Sequence, residues 1–198
     1  AWKWSYPDQT WDAHEASRKW KVMDRWLHDH SSNATTRQIE GEWRLEGPSN
    51  IGGRFNFIQQ HPSEPFRFYA GSSTGGLWMT PGDDDWICLT DDLPVMSSGD
   101  LVFHPENPER IFLASGDPQI SSFPRIGAGV FRSLDGGASW ELAGLDSVGI
   151  ISKLLYLDGD TPALLAGAMG NPAIPGPNRG LYRSLNNGLE WEQVLLPS

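Results

Sequence analysis

Asp117, Arg54 and Arg125 are the side chains best suited to contact a ligand. Asp117 ends the run Ser115-Gly116-Asp117-Pro118 and opens a long loop, Gln119 to Gly127, that also holds Arg125. Loops carried on a rigid scaffold commonly do the binding. Asp117 is a candidate ligand or metal contact, and its competing role is to cap its own turn before Pro118. Arg54 follows Gly52-Gly53 and offers a fork of N–H donors, either to a ligand or to backbone carbonyls. Asp83, Asp84 and Asp85 cluster the oxygens that Ca²⁺ favours, but without the alternating spacing of a calcium loop, so a solvated turn is the alternative. No other cofactor or metal site is expected.

The rest of the composition narrows the partners. Net charge is −10. That argues against nucleic acid, whose phosphates need a basic stripe. Arg18, Lys19, Lys21 and Arg25 form a local basic cluster, balanced by Asp12, Glu15, Asp24 and Asp29. Cys88 is the lone cysteine, so no intrachain disulfide forms, and no histidine stands at a motif spacing to make it a nucleophile. No apolar run reaches the 18 or so residues of a membrane span.

These side chains must be positioned by short strands. Gly76-Leu77-Trp78, Gly129-Val130-Phe131 and Gly180-Leu181-Tyr182 recur 53 and 51 residues apart. Trp86, Trp140 and Trp191 recur 54 and 51 residues apart. The turns His61-Pro62-Ser63-Glu64-Pro65 and His104-Pro105-Glu106-Asn107-Pro108 open equivalent runs, and such repetition points to a structural role for both histidines. Each unit reads as four strands, in the first about Arg54–Gln60, Phe66–Gly71, Gly76–Thr80 and Trp86–Thr90. Four short strands per repeat of this length make a β-propeller blade.

The expected fold is therefore all-β, with about three blades near residues 49–92, 95–144 and 147–197 inside a propeller segment 42–198. Residues 1–41 form a leader with one amphipathic helix, since Ala16, Trp20, Met23 and Leu27 make an apolar stripe after the Asp12/Glu15 capping box. A closed propeller needs ~4–8 blades. Three blades imply that a longer chain or another subunit completes the ring.

Ser133-Leu134-Asp135-Gly136-Gly137-Ala138-Ser139-Trp140 matches the pattern S-x-D-x-G-x-x-W. Ser184-Leu185-Asn186-Asn187-Gly188-Leu189-Glu190-Trp191 matches it with Asn for Asp. Both resemble the Asp-box, or BNR repeat, of sialidases, sortilin-like receptors and xyloglucanase-type glycoside hydrolases. The resemblance assigns Ser133, Asp135, Gly137, Trp140, Ser184, Asn186, Gly188 and Trp191 to rim hairpins and to structure, away from the central site. It also places Asp117 where such chains approach the central channel. Xyloglucanase-type enzymes carry a catalytic Asp just before the Gly-Gly of the third strand of the first blade. Here that stretch is Ser72-Ser73-Thr74-Gly75-Gly76, without a carboxylate. Phe123-Pro124-Arg125-Ile126 holds the letters of the sialidase F-R-I-P motif out of order.

Trp43 to Arg54 and the leader Lys19-Trp20-Lys21-Val22-Met23-Asp24-Arg25-Trp26 look like the openings of sortilin-like propellers in surface proteins of Bacteroidetes-type bacteria, exported by type IX secretion. The resemblance implies a secreted or cell-surface module, non-catalytic, that binds a protein or glycan partner. Two alternatives stand beside it. One is a glycoside hydrolase, xyloglucanase- or sialidase-like, whose acidic pair is completed outside this chain. The other is a secretion cargo or component of a larger surface complex.

Overall fold

The computed structural model describes residues 53–82, 85–119, 124–172, 176 and 178–195. The expected leader helix, and Asp83 and Asp84 of the acidic triplet, lie outside these residues. Twelve strands make three four-stranded antiparallel sheets, and no helix occurs among the described residues. The first sheet runs β1 (Phe55–Gln60), β2 (Phe68–Ser72), β3 (Leu77–Thr80), β4 (Ile87–Cys88). The second runs β5 (Ser98–Phe103), β6 (Ile111–Ser115), β7 (Val130–Ser133), β8 (Glu141–Leu142). The third runs β9 (Ile150–Leu157), β10 (Ala163–Gly170), β11 (Gly180–Ser184), β12 (Glu192–Leu195). In every sheet the spatial order is the chain order, as in the blades of a β-propeller.

Local chemistry sets the strand limits. Pro65 and Phe66 belong to the turn rather than to β2, because the Arg67 amide donates to the Glu64 carbonyl at 3.1 Å. The turn closes when the His61 amide donates to the Arg67 carbonyl at 2.8 Å, and His104 does the same with Arg110 at 2.9 Å. Both imidazoles serve their turns, with Nδ1 accepting from the Ser63 amide (3.3 Å) and the Glu106 amide (3.2 Å). The first strand of each sheet carries a bulge, at Phe55/Phe57, Ser98/Asp100 and opposite Gly167/Ala168. Bulges bend a strand and re-aim its end.

The core lies between sheets, not within one. Successive side chains of a strand point to opposite faces. In β6, Ile111 and Leu113 join Tyr69, Leu77, Leu101 and Phe131 in a core shared with the first sheet. Phe112 and Ala114 of the same strand join Val130, Ile151, Leu154, Leu164, Ala166 and Tyr182 in a core shared with the third. The whole of β6 is buried as a result. Where no such neighbour packs, the same register position is open. Ile58 is 67% exposed, whereas its equivalents Leu101 and Leu154 are 2% and 4% exposed. Leu155 and Leu157 are exposed on the far face of the third sheet. No helix among the described residues is long and apolar enough to cross a membrane.

Candidate functional site

Arg54, Ser73 and Asp117 meet where the first two blades adjoin. Arg54 stands just before β1, Ser73 just after β2, and Asp117 two residues after β6. The backbone brackets them. The Ser73 amide donates to the Arg54 carbonyl, and in the next blade the Gly116 amide donates to the Ser97 carbonyl, both at 2.9 Å. Arg54 then reaches across 63 positions of sequence, and its Nη2 donates to Asp117 Oδ2 and to Ser73 Oγ (2.7 Å). Ser73 Oγ donates to the same Asp117 Oδ2 at 3.0 Å, and the Gln119 amide donates to Oδ1 at 3.0 Å. Ser97 Oγ fixes the Ser73 carbonyl at 2.5 Å.

Asp117 is 1% exposed, while the Arg54 side chain is 38% exposed. A buried carboxylate needs charged or hydrogen-bonding partners, and Asp117 has three. The group left facing solvent is therefore the guanidinium, anchored from behind. Neither residue recurs: Ser97 and Ile150 hold the places of Arg54 in the other blades. Arg125 joins by its backbone, its carbonyl accepting from the Asp117 amide at 2.9 Å, and its side chain is exposed.

Two polar residues of this region are not evident from the sequence motifs. Ser73 occupies the stretch that lacks an acid, yet it is the hydroxyl that meets the acid of the following blade. Asp100, 2% exposed in β5, accepts from the Leu154 amide at 2.9 Å and pairs with Lys153 Nζ at 3.0 Å. Asp100 and Lys153 share one register position, opposite Ala114 and Gly167, so opposite charges at the same place in adjacent blades face each other. An acid beside the apolar run Leu101-Val102-Phe103 is the signal that could have found it.

The two box hairpins tie turn to turn and blade to blade. In the first, Ser133 Oγ donates to Asp135 Oδ1 (2.7 Å), the Ser139 amide donates to Oδ1 (2.8 Å) and Ser139 Oγ to Oδ2 (2.6 Å). Gly137, at φ 98°, places its amide on Ser133 Oγ at 2.8 Å. The second hairpin repeats this with Ser184 Oγ and the Glu190 amide on Asn186 Oδ1 (3.0 and 2.9 Å) and the Gly188 amide on Ser184 Oγ (2.8 Å). The tryptophans reach outward from their own sheets. Trp140 Nε1 donates to the Leu89 carbonyl at 2.8 Å, and Trp191 Nε1 to the Ala143 carbonyl at 2.6 Å.

The Ser139 hydroxyl and amide, then the Ser133 hydroxyl, hold the Asp135 carboxyl down at about 2. A depressed carboxyl stabilises the fold above its unfolded value near 3.8, and that contribution disappears as pH falls through about 2. Asp135 is exposed, so solvent screening keeps the contribution at about 1 kcal/mol or less. Asp135→Asn copies the second hairpin. We expect it to flatten the acid limb of the stability curve between about pH 4 and 2, measured by urea unfolding. An unchanged acid limb would show that Asp135 does not contribute there.

His61, Glu64 and Glu109 bring three potential metal-ligand atoms within 4.8 Å of one another. Arg67 already lies between the two carboxylates, at 3.1 Å from Glu64 and 2.8 Å from Glu109, so a guanidinium is the cation of that cluster. Asp85, the described member of the acidic triplet, is exposed. Burial pushes the Cys88 thiol up, away from the thiolate that nucleophilic chemistry needs.

No protein-family model matches the chain. A xyloglucanase from Paenibacillus sp. is 27% identical over 161 residues, which cover 72% of this chain and 14% of that relative. Xyloglucanase Xgh74A of Acetivibrio thermocellus is 25% identical over 182 residues, covering 83% of this chain and 20% of the relative. Among solved structures, an ancestral GH74 enzyme superimposes with a TM-score of 0.54 at 23% identity, over 73% of this chain and 19% of that one. The GH74 enzyme of Niastella koreensis gives 0.51 at 16% identity, over 69% and 20%. The chain thus spans a fifth or less of each relative's length. Its three sheets match blades of a GH74 β-propeller.

Proposed function

We propose that this chain supplies three blades of a secreted glycoside hydrolase of the xyloglucanase type. Further blades cover the open faces at Ile58 and Leu155. The polysaccharide passes over the blade ends at Arg54, Ser73 and Asp117. The observation that carries this is the similarity to two proteins named as xyloglucanases, running through 72% and 83% of the chain. It favours the hydrolase over the non-catalytic surface module that the sortilin-like opening suggested.

On this reading Asp117 has a positioning role. Glycoside hydrolysis normally uses two carboxylates open to substrate. Asp117 is buried against Arg54 instead, and orients that guanidinium toward sugar hydroxyls. The acidic pair then comes from blades beyond this chain. The closure of Asp117 by Arg54 and Ser73 also favours a second reading, a module of the same fold that binds glycan without cleaving it.

The test is affinity electrophoresis in xyloglucan gels with a parallel assay for released reducing ends. We expect retardation by the chain, and cleavage by a protein that carries it together with its remaining blades. Retardation with no cleavage in that longer protein shifts the assignment to the binding module. No retardation by either rejects both.

A further inference from the structure

The described residues form two rims between successive blades, and the second departs from the first. Between the first two blades Arg67 fills the rim. Its Nη1 donates to Glu109 Oε1 at 2.8 Å and to Glu64 Oε1 at 3.1 Å, and its Nη2 to Glu109 Oε2 at 3.3 Å. Its guanidinium carbon lies 5.4 Å from the centre of the Tyr69 ring. Tyr69, whose phenol burial pushes up to about 12, donates to the Gly136 carbonyl at 2.9 Å. Position 136 has a left-handed backbone at φ 68°, and a Cβ there would meet the ends of the Glu109 and Arg67 side chains.

Strand register locates the same positions one blade later. Arg110 is the counterpart of Arg67, since each carbonyl closes the turn of the preceding histidine. Ser133 pairs with Ile111 and Ser184 with Leu164, so Pro162 stands where Glu109 stood, and Asn187 stands where Gly136 stood. The glutamate is gone, and a side chain takes the place of the glycine. Asn187 keeps the left-handed backbone at φ 58°, close to the 68° of Gly136.

What remains is a cleft of about 290 Å³ lined by His104, Arg110, Tyr156, Pro162 and Asn187. That is at the small end of ligand pockets. Among the described residues no carboxylate pairs with the Arg110 guanidinium as Glu64 and Glu109 pair with Arg67, although both arginines bury Nε without a hydrogen-bond partner. Tyr156 donates to Asn187 Oδ1 at 2.8 Å, and its ring packs 4.7 Å from that of His104. Burial first, then the Arg110 charge, hold His104 below its ordinary value. With Nδ1 occupied by the Glu106 amide, His104 presents a neutral Nε2–H.

We propose that this cleft binds a sugar acid, whose carboxylate meets Arg110 as Glu109 meets Arg67. The other lining groups select the class. Glu106 and Asp158 also line the cleft, and an inorganic anion such as phosphate would meet their charge with at most one or two hydroxyls to offer. A sugar acid brings hydroxyl donors for those carboxylates together with its own carboxylate for Arg110. This site lies on the rim, and its ligand does not depend on the xyloglucanase reading.

The test is calorimetric titration of the chain with glucuronate, glucose and inorganic phosphate. Glucuronate should bind, with glucose at least about tenfold weaker because it lacks the charge-assisted bidentate pair, and phosphate weaker because its higher charge meets Glu106 and Asp158. Arg110→Gln should weaken glucuronate by about tenfold or more. Pro162→Glu returns a glutamate to the position of Glu109, and keeps the proposal testable if Arg110→Gln fails to fold. It should abolish glucuronate binding and raise the melting midpoint by about 2–4 °C over Pro162→Gln, which controls for loss of the proline. Absence of glucuronate binding, equal binding of glucose, or full affinity in Pro162→Glu would each overturn the proposal.

Discussion

Asp117→Ala is expected to lower the unfolding free energy by about 3 kcal/mol, the low end of what breaking a buried ion pair costs. The carboxylate is 1% exposed and accepts from Arg54 Nη2, Ser73 Oγ and the Gln119 amide. Alanine leaves all three donors without their acceptor. The Arg54 side chain is 38% exposed, so water recovers part of its share, which is why the low end applies. Ser73 is 6% exposed and bears most of the rest.

The double-mutant cycle with Arg54→Ala should return a coupling energy of about 1–2 kcal/mol. Urea unfolding of the four proteins measures it. A loss under about 1 kcal/mol for Asp117→Ala, or additive single losses, would mean that the two blades are not joined through this pair. Asp117→Ala should also cut retardation in xyloglucan gels, because the guanidinium it anchors would be free to turn away.

Much of this architecture could be read before any coordinates. Three Gly–aliphatic–aromatic strands and three tryptophans at intervals of 51 to 54 residues mark three blades, and the blades are there. Strand ends shifted by one or two residues where a turn hydrogen bond outcompeted the ladder, as at Arg67 and Glu64. The site was half legible. Arg54 and Asp117 stand out because the repeat does not explain them, whereas His61 and His104 recur and serve their turns. That Arg54 and Asp117 touch was not legible, since the contact spans 63 positions and depends on how one blade packs on the next. Ser73 illustrates the same limit. Read along the chain it is a missing acid; in space it is the hydroxyl that receives an acid from the following blade. Periodicity specifies what each blade is, and the contacts between blades decide what their unrepeated residues do.

Trp191→Ala should cost about 3 kcal/mol, at the lower end of the range for removing a packed aromatic side chain. Trp191 packs against the core between the second and third sheets, and its indole donates to the Ala143 carbonyl at 2.6 Å. A Cβ on Gly144 would meet the indole ring, so the two are in close contact. Trp191→Phe keeps an aromatic ring without the donor and should lose about 1 kcal/mol, the net worth of one hydrogen bond. Trp86, the counterpart in the first blade, is 46% exposed. Trp86→Ala should therefore stay within about 0.5 kcal/mol of the parent. Chemical unfolding orders the three variants, and hydrogen exchange locates the loss, which should fall on the amides of β11 and β12. Equal losses at Trp86 and Trp191 would show that the hairpin tryptophan stabilises its own turn only. The predicted inequality would instead make it the clamp between neighbouring blades, which explains why the box keeps Trp while accepting Asn186 in place of Asp: the acid serves the turn, and an amide serves it too, whereas the indole reaches the preceding blade.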